Sequence, residues 1–202
     1  MRHYFISELH TKDDYFTFNE KVQGIDFCFN SCNDVFSKNC VDYGTKVLID
    51  AIVKNSTMYN GTVLDVGCGY GALSIVLEKF LKNCTFSLCD VNSTAVELAK
   101  QNVLKNNSTR IVNVVESDLY ANIDGTFDHI VSNPPIKTGK AVLLNLINEG
   151  YNKLNVGGSM TLVIKKNYGA DSTKKLMESL FNNSQILNRD KGYYILYSKK
   201  MG

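Results

Sequence analysis

Three glycines at alternate positions, Gly67, Gly69 and Gly71, close an apolar run that starts at Thr62 and open a helical pattern through Leu73, Val76 and Leu77. Glycine lets backbone approach a ligand with no Cβ in the way, and a helix start placed just after it suits a nucleotide-like cofactor. Gly67, Gly69 and Ala72 also satisfy the dinucleotide fingerprint G-x-G-x-x-G/A, so the turn alone does not choose the cofactor. Polar residues further along narrow the choice. Asp90 ends a second apolar run, 21 residues after Gly69, where a carboxylate can accept hydrogen bonds from ribose hydroxyls. Its alternative role is an N-cap for the helix starting near Ser93, although Ser93 itself can cap. Asp118, followed by Leu119, ends a third run; it can reach the adenine of a cofactor lying across the strand tips, or it is a solvated loop acid. A fourth run ends in Asn133-Pro134-Pro135-Ile136. Two prolines after Asn remove two donors, fix φ and keep the preceding residue out of the helical region, which makes a rigid turn headed by a carboxamide.

The elements that position these residues follow from apolar spacing. Tyr15 and Thr17 alternate with Phe16 and Phe18, and Gly24 divides two such runs within residues 15–30, which predicts a hairpin. Phe36 and Ser37 start no obvious element and form either a core plug or the near wall of a substrate pocket. A helical pattern follows through Val47, Leu48, Ala51 and Ile52. Val63, Leu64 and Val66 suit a buried parallel strand. Beyond the glycine turn the spacing predicts a helix to Leu81, strand Thr85–Asp90, helix Ala95–Leu104 and strand Ile111–Val115. It continues with strand Phe127–Ser132, a helix through Leu146, a turn at Asn155–Gly158, strand Ser159–Ile164, helix Ser172–Phe181, and closing strands at Gln185–Leu187 and Tyr193–Tyr197. Such βαβ alternation from residue 62 to about 190 predicts a doubly wound α/β sheet that binds ligands at its strand C-termini. The glycine turn, Asp90, Asp118 and the Asn133–Ile136 turn all fall on that edge. One domain is expected over 1–202: a hairpin and substrate-side segment at 1–45, and a cofactor-binding core at 46–202. His129 reads as a strand residue and not as a catalyst; His3 and His10 lie near the N-terminal end.

Composition excludes little. With 22 Lys+Arg against 20 Asp+Glu the net charge is +2, which neither demands nor excludes a nucleic-acid partner. Six cysteines in a chain of 202 residues, with no secretory signal ahead of them, point to a reduced, cytoplasmic protein. Cys28, Cys32 and Cys40 lack a fourth ligand at finger-like spacing; they read as small buried side chains, and no metal is expected. No apolar run approaches the roughly 20 residues of a membrane span.

Asp65-Val-Gly-Cys-Gly-Tyr-Gly71, Asp90, Asp118-Leu119 and Asn133-Pro-Pro-Ile136, in this order, resemble the motifs of class I S-adenosylmethionine-dependent methyltransferases. A redox Rossmann enzyme has no use for Asn-Pro-Pro. More narrowly, Val35-Phe-Ser-Lys38, Val41-Asp-Tyr-Gly-Thr45 and Gly192-Tyr-Tyr194 resemble the single-domain bacterial small-subunit (16S) ribosomal RNA guanine-N2 methyltransferases. The resemblance implies a seven-stranded, mostly parallel sheet with a reversed last hairpin, S-adenosylmethionine as cofactor, a monomer, and ribosomal RNA or the small ribosomal subunit as partner. It further implies that Asp65 orients the methionine part of the cofactor and that the amides of Gly67, Cys68 and Gly69, with Gly71, line it. Asp90 with Val91 would take the ribose, and Asp118 with Leu119 the adenine. Asn133 and Pro134 would be catalytic, with Pro135, Ile136, Phe36, Ser37, Lys38 and Lys137 on the substrate side. Many such enzymes carry Tyr or Phe where this chain has Ile136, so stacking on the target base is weaker here or comes from another residue, such as Phe36.

The chemistry fits that turn. An exocyclic guanine amine is a poor nucleophile because its lone pair delocalises into the ring. Two acceptors aimed at its hydrogens, the Asn133 side-chain oxygen and the Pro134 carbonyl, localise the pair towards the incoming methyl group. The base has to leave its stack to enter, guided by phosphate contacts from candidates such as Lys38, Lys137, Lys140, Lys165 and Lys166. The same turn serves adenine-N6 and protein-glutamine methylation, whose acceptors are also planar conjugated amines. A non-catalytic RNA-binding assembly factor on the same fold is the remaining alternative.

Overall fold

The structure is a computed structural model, and it describes residues 15–35, 37–135 and 139–202. The expectations placed on Phe36, Ile136, Lys137, His3 and His10 lie outside these residues.

The chain opens with a hairpin of β1 (Tyr15–Val22) and β2 (Ile25–Cys32). Gln23 and Gly24 form its tip with φ of 51° and 80°, the pair of positive values whose turn matches the strands' twist. Then come α1 (Tyr43–Lys54), β3 (Gly61–Val66), α2 (Ala72–Phe80), β4 (Cys84–Asp90), α3 (Ser93–Lys105), β5 (Ile111–Glu116) and β6 (Phe127–Ser132). The chain closes with α4 (Lys140–Lys153), β7 (Leu154–Lys165), α5 (Ala170–Phe181), β8 (Gln185–Asp190) and β9 (Tyr193–Lys199). Seven strands form one sheet in the order β5-β4-β3-β6-β7-β9-β8, with β9 antiparallel to both its neighbours and the five strands from β5 to β7 parallel.

Strand β3 is apolar on both faces because both are covered. Val63 joins the cluster under α1, α2 and α3, while Leu64 and Val66 join the cluster under α4 and α5. The strand order reverses between β3 and β6, which places a crevice at their C-terminal ends. The Ser132 hydroxyl donates to the Val66 carbonyl at 2.6 Å and locks those two tips together. Asn133 therefore emerges beside Gly67.

Boundaries and caps differ from expectation in several places; β8, for one, runs on to Asp190 and does not end at Leu187. The turn expected at Asn155–Gly158 is instead part of β7. Gly157, at φ 84°, and Gly158 exchange backbone hydrogen bonds with Lys200, and the β6–β7 register slips there between Phe127 and His129. Helix α3 is capped by neither Asp90 nor Ser93: the Asn92 side chain accepts from the amides of Thr94 and Ala95.

A two-stranded hairpin is marginal by itself, and here asparagines dock it. The Asn102 carboxamide on α3 accepts from the Asn30 amide at 2.6 Å and donates to the Asn30 carbonyl at 3.0 Å. One turn on, Asn106 repeats the exchange with Cys28, accepting at 3.2 Å and donating at 2.9 Å. Residues four apart share a helix face and residues two apart share a strand edge, so two side-chain amides continue the ladder that β2 lacks a strand to make. Asn102 also donates to the Tyr70 carbonyl at 2.9 Å, and the Tyr70 ring packs against Phe18 and Phe29. The hairpin is thus tied to the glycine turn. Asn102→Ala strands three buried or half-buried backbone groups and is expected to cost about 1–3 kcal/mol in chemical denaturation; a loss under about 0.5 kcal/mol would show that the aromatic cluster alone holds the hairpin.

Candidate active site

Asp65 lies at the C-terminal end of β3 and is 1% exposed. The Ser74 hydroxyl on α2 donates to its Oδ2 at 2.7 Å, while its Oδ1 is buried with no partner. Burial, and secondarily the nearby Asp90 charge, push this carboxyl up to about 7. A buried acceptor without a donor is expensive unless a ligand supplies one. A cationic group placed at Oδ1 answers that need.

Past Asp65 the chain turns through Gly67, Gly69 and Gly71 with φ of 73°, 55° and 89°, a region that only glycine enters freely. Nothing stands within 4 Å of where a Cβ would project at Gly67 or Gly69, so those faces are open to a ligand. At Gly71 the same position meets Ile75, Ala99 and Leu88, which makes this glycine a packing requirement. The turn's amides have partners within the protein. Gly67 and Cys68 both donate to the Cys89 carbonyl, at 2.8 and 3.0 Å, and Gly69 donates to Asp90 Oδ2 at 2.8 Å. The turn uses its donors to bind the tip of β4 and offers a ligand bare Cα surface instead.

Asp90 is clamped by that amide and by the Asn92 amide, which donates to its Oδ1 at 2.9 Å. Burial raises its carboxyl above the ordinary range against the opposing pull of the Asn92, Gly69 and Val91 amides. Each oxygen keeps a lone pair for a hydroxyl. Val91, beyond it, is 46% exposed on the strand-tip surface. Next to β4, the Ser117 amide donates to the Asp90 carbonyl, and the Ser117 hydroxyl donates to the Leu119 carbonyl at 2.9 Å. This staple holds Leu119 at φ 48° and leaves Asp118 exposed on the same edge.

The segment before α1 closes over the glycine turn. The Tyr70 hydroxyl donates to the carbonyls of Cys40, at 3.1 Å, and Ser37, at 3.4 Å. Ser37 and Lys38 therefore lie near the turn, but the Ser37 hydroxyl donates to Cys40 and the Lys38 ammonium donates to Asn33 Oδ1 at 2.9 Å. Glu20 on β1 anchors the segment, accepting from the Val41 amide at 2.9 Å and from Lys46 Nζ at 2.6 Å. Cys40 is exposed and Cys28 half-buried, so only Cys32 of that trio is the buried side chain expected of all three. Among the described residues no group of His, Cys, Asp and Glu is arranged to hold a metal ion.

Asn133 meets this segment. Its Nδ2 donates to Asp42 Oδ2 at 3.0 Å and to Thr45 Oγ1 at 2.9 Å, so both amide hydrogens are used and Oδ1 is its remaining polar atom. Pro134 is buried and Pro135 exposed, which fixes the turn from behind. Asp42 and Thr45 had no role assigned from sequence. An acid followed three residues later by Thr at a helix start shows a cap, but not that the cap's carboxylate also grips a residue 91 positions away. Of the other expected residues, His129 is a buried strand residue whose Nδ1 and Nε2 bond Ser159 and the Asn60 backbone. Lys165 stands 5.5 Å over the Tyr193 ring, at the same rim as Asn133. Among the described residues, no helix is long and apolar enough to cross a membrane.

The methyltransferase small domain family matches residues 26–197. This chain belongs to that family. The methyltransferase is 37% identical to the uncharacterized protein YbxB of Bacillus subtilis, over 98% of each chain. It is 30% identical to ribosomal RNA small subunit methyltransferase C of Cronobacter sakazakii, covering 88% of this chain and 50% of that protein. Among solved structures it superposes on a T. thermophilus 16S rRNA N2 methyltransferase in complex with AdoMet and guanosine with a TM-score of 0.80 and 25% identity, covering 92% of this chain and 50% of that one. The methyltransferase thus spans about half the length of these ribosomal relatives.

Asp65 yields a pH prediction. A carboxyl raised to about 7 in the folded protein and ordinary when unfolded favours folding fully below about pH 4, and that contribution is lost as pH rises through about 7. Relative to Asp65→Asn, the wild-type free protein should therefore lose stability between about pH 4 and 7 and run parallel above it. A difference that does not change with pH would remove the raised carboxyl.

Proposed function

We propose that this methyltransferase transfers a methyl group from S-adenosylmethionine to the exocyclic N2 amine of a guanine in 16S ribosomal RNA. One observation carries the reading: at the tip of β6, beside the glycine turn, a carboxamide is held by both its hydrogens so that its oxygen is the group offered to a substrate.

S-adenosylmethionine is the cofactor, and the residues present suit it. The unpartnered Asp65 Oδ1 suits an α-ammonium, the clamped Asp90 carboxylate suits a ribose diol, and the open faces at Gly67 and Gly69 leave room between them. Val91, Asp118 and Leu119 stand on the same edge, where an adenine would rest. When bound, the cofactor supplies an electrophilic methyl group on a sulfonium. The protein's own part is to hold a planar amine in line with that methyl group. Asn133 Oδ1 and the Pro134 carbonyl accept the two amine hydrogens, which concentrates the lone pair on nitrogen, and the prolines keep both acceptors from relaxing. Neither a covalent nucleophile nor a general base is needed before the methyl arrives. The relatives named as small-subunit ribosomal RNA methyltransferases support RNA as the acceptor, and Lys38, Lys140, Lys165 and Lys166 are the cationic candidates for its phosphates.

Two experiments test this. Labelled methyl donor offered with 16S ribosomal RNA, small subunits, DNA or a glutamine-bearing protein should label the RNA, free or in the subunit, at guanine N2; label on DNA or protein alone would replace the substrate while keeping the enzyme class. Asn133→Ala should lower kcat by on the order of 10²-fold with S-adenosylhomocysteine affinity near wild type. Turnover at the wild-type rate in that variant would make the Asn-Pro-Pro turn a structural bend only.

A further inference from the structure

A carboxamide is nearly symmetric in shape, so what decides which end faces the substrate is chemistry. Asn133 Nδ2 lies 3.0 Å from Asp42 Oδ2 and 2.9 Å from Thr45 Oγ1. A carboxylate only accepts, so it can face the amide's NH2 end and not its oxygen. The same Asp42 Oδ2 accepts from the Thr45 amide at 3.2 Å and caps α1. One carboxylate oxygen thereby fixes a helix start and the Asn133 side chain together. The space is tight. A Cβ on Gly44 would come within 2.9 Å of both Asp42 Oδ2 and the Tyr193 ring, so the carboxylate is confined between helix backbone and aromatic wall. Upstream, Glu20 holds the Val41 amide and Lys46, and Tyr70 holds the Cys40 carbonyl, which leaves the loop carrying Asp42 little freedom.

We infer that Asp42, assisted by Thr45, is a positioning residue that sets the Asn133 carboxamide oxygen-outward and so makes it an acceptor for the amine. This rests on the reading of Asn133 given above. Without Asp42 the amide can turn over and present NH2 to the substrate amine, donor against donor. The charge-assisted bond to Asp42, with the neutral one to Thr45 beside it, also polarises the carboxamide and leaves Oδ1 richer in electron density.

Asp42→Ser separates this role from the cap, because serine caps a helix about as well as aspartate but is too short to keep both contacts. The expected result with 16S ribosomal RNA or small subunits is a kcat roughly 10- to 100-fold below wild type, the scale for misplacing one acceptor, while melting temperature, KM for RNA and S-adenosylhomocysteine affinity stay close to wild type. Asp42→Asn, which restores an acceptor oxygen without the charge, should recover part of the loss. A readout independent of turnover is the side-chain amide resonance pair of Asn133 in isotope-labelled protein, assigned by its absence in Asn133→Ala; it should move in Asp42→Ser more than in Asp42→Asn. Wild-type kcat in Asp42→Ser, unmoved Asn133 amide resonances, or a kcat loss matched by a fall in melting temperature would each overturn the inference. If Asn133→Ala itself turns over at the wild-type rate, the acceptor reading fails first. If it does not, and Asp42→Ser is silent, only the positioning role is lost.

Discussion

The pair of hydrogen bonds from the Asn133 carboxamide to Asp42 and Thr45 is the constraint that the rest of the structure serves. It joins two parts of the chain that the sheet alone would not connect: the tip of β6 and the first turn of α1. Ser132 brings the β6 tip to Val66, and Pro134 and Pro135 stiffen the turn beyond it. On the other side, Glu20 pins the approach to α1 from the hairpin, and the hairpin is in turn docked by Asn102 and Asn106. A two-stranded addition that looks peripheral is thus part of the support of the segment that holds Asn133.

The cofactor side runs on a different principle. Asp65 and Asp90 are acids placed where burial opposes their charge, and both carboxyls are raised in the free protein. Asp90 is compensated by backbone amides, whereas Asp65 keeps one oxygen with no partner. Of these two acids at the strand tips, only Asp65 breaks the rule that a buried polar atom is satisfied. Other buried side-chain atoms also lack a partner, those of Ser31, Glu78, Ser108, Arg110 and Ser184 among them; Asp65 differs in standing beside the open faces of Gly67 and Gly69. The free protein carries the cost of that unpartnered oxygen.

Much of this was legible in the sequence because it is written in local patterns. Apolar runs alternating with helical spacing place all seven strands of the main sheet, and glycines and prolines mark both turns at the functional edge. The features that were not legible depend on contacts between distant segments. Asp42 had no role in the sequence reading, and its bond to Asn133 is visible only once β6 lies beside α1. The glycine turn reads as cofactor lining, and sequence does not show that its amides also bind the carbonyl of Cys89 and the carboxylate of Asp90. Gly157 and Gly158 read as a turn because their bond partner, Lys200, is supplied by the chain's last residues. The exposure of Cys40 belongs to the same class: a small apolar residue type predicts burial only on average.

The central claim is that Asn133 presents an oxygen to a guanine amine. It is tested most directly by a crystal structure of this chain with S-adenosylhomocysteine and guanosine bound together. The account predicts guanine N2 within about 3 Å of both Asn133 Oδ1 and the Pro134 carbonyl, with Nδ2 still on Asp42 and Thr45. A base seated with another edge towards the cofactor, or an Asn133 amide turned to point Nδ2 at the ligand, would contradict it.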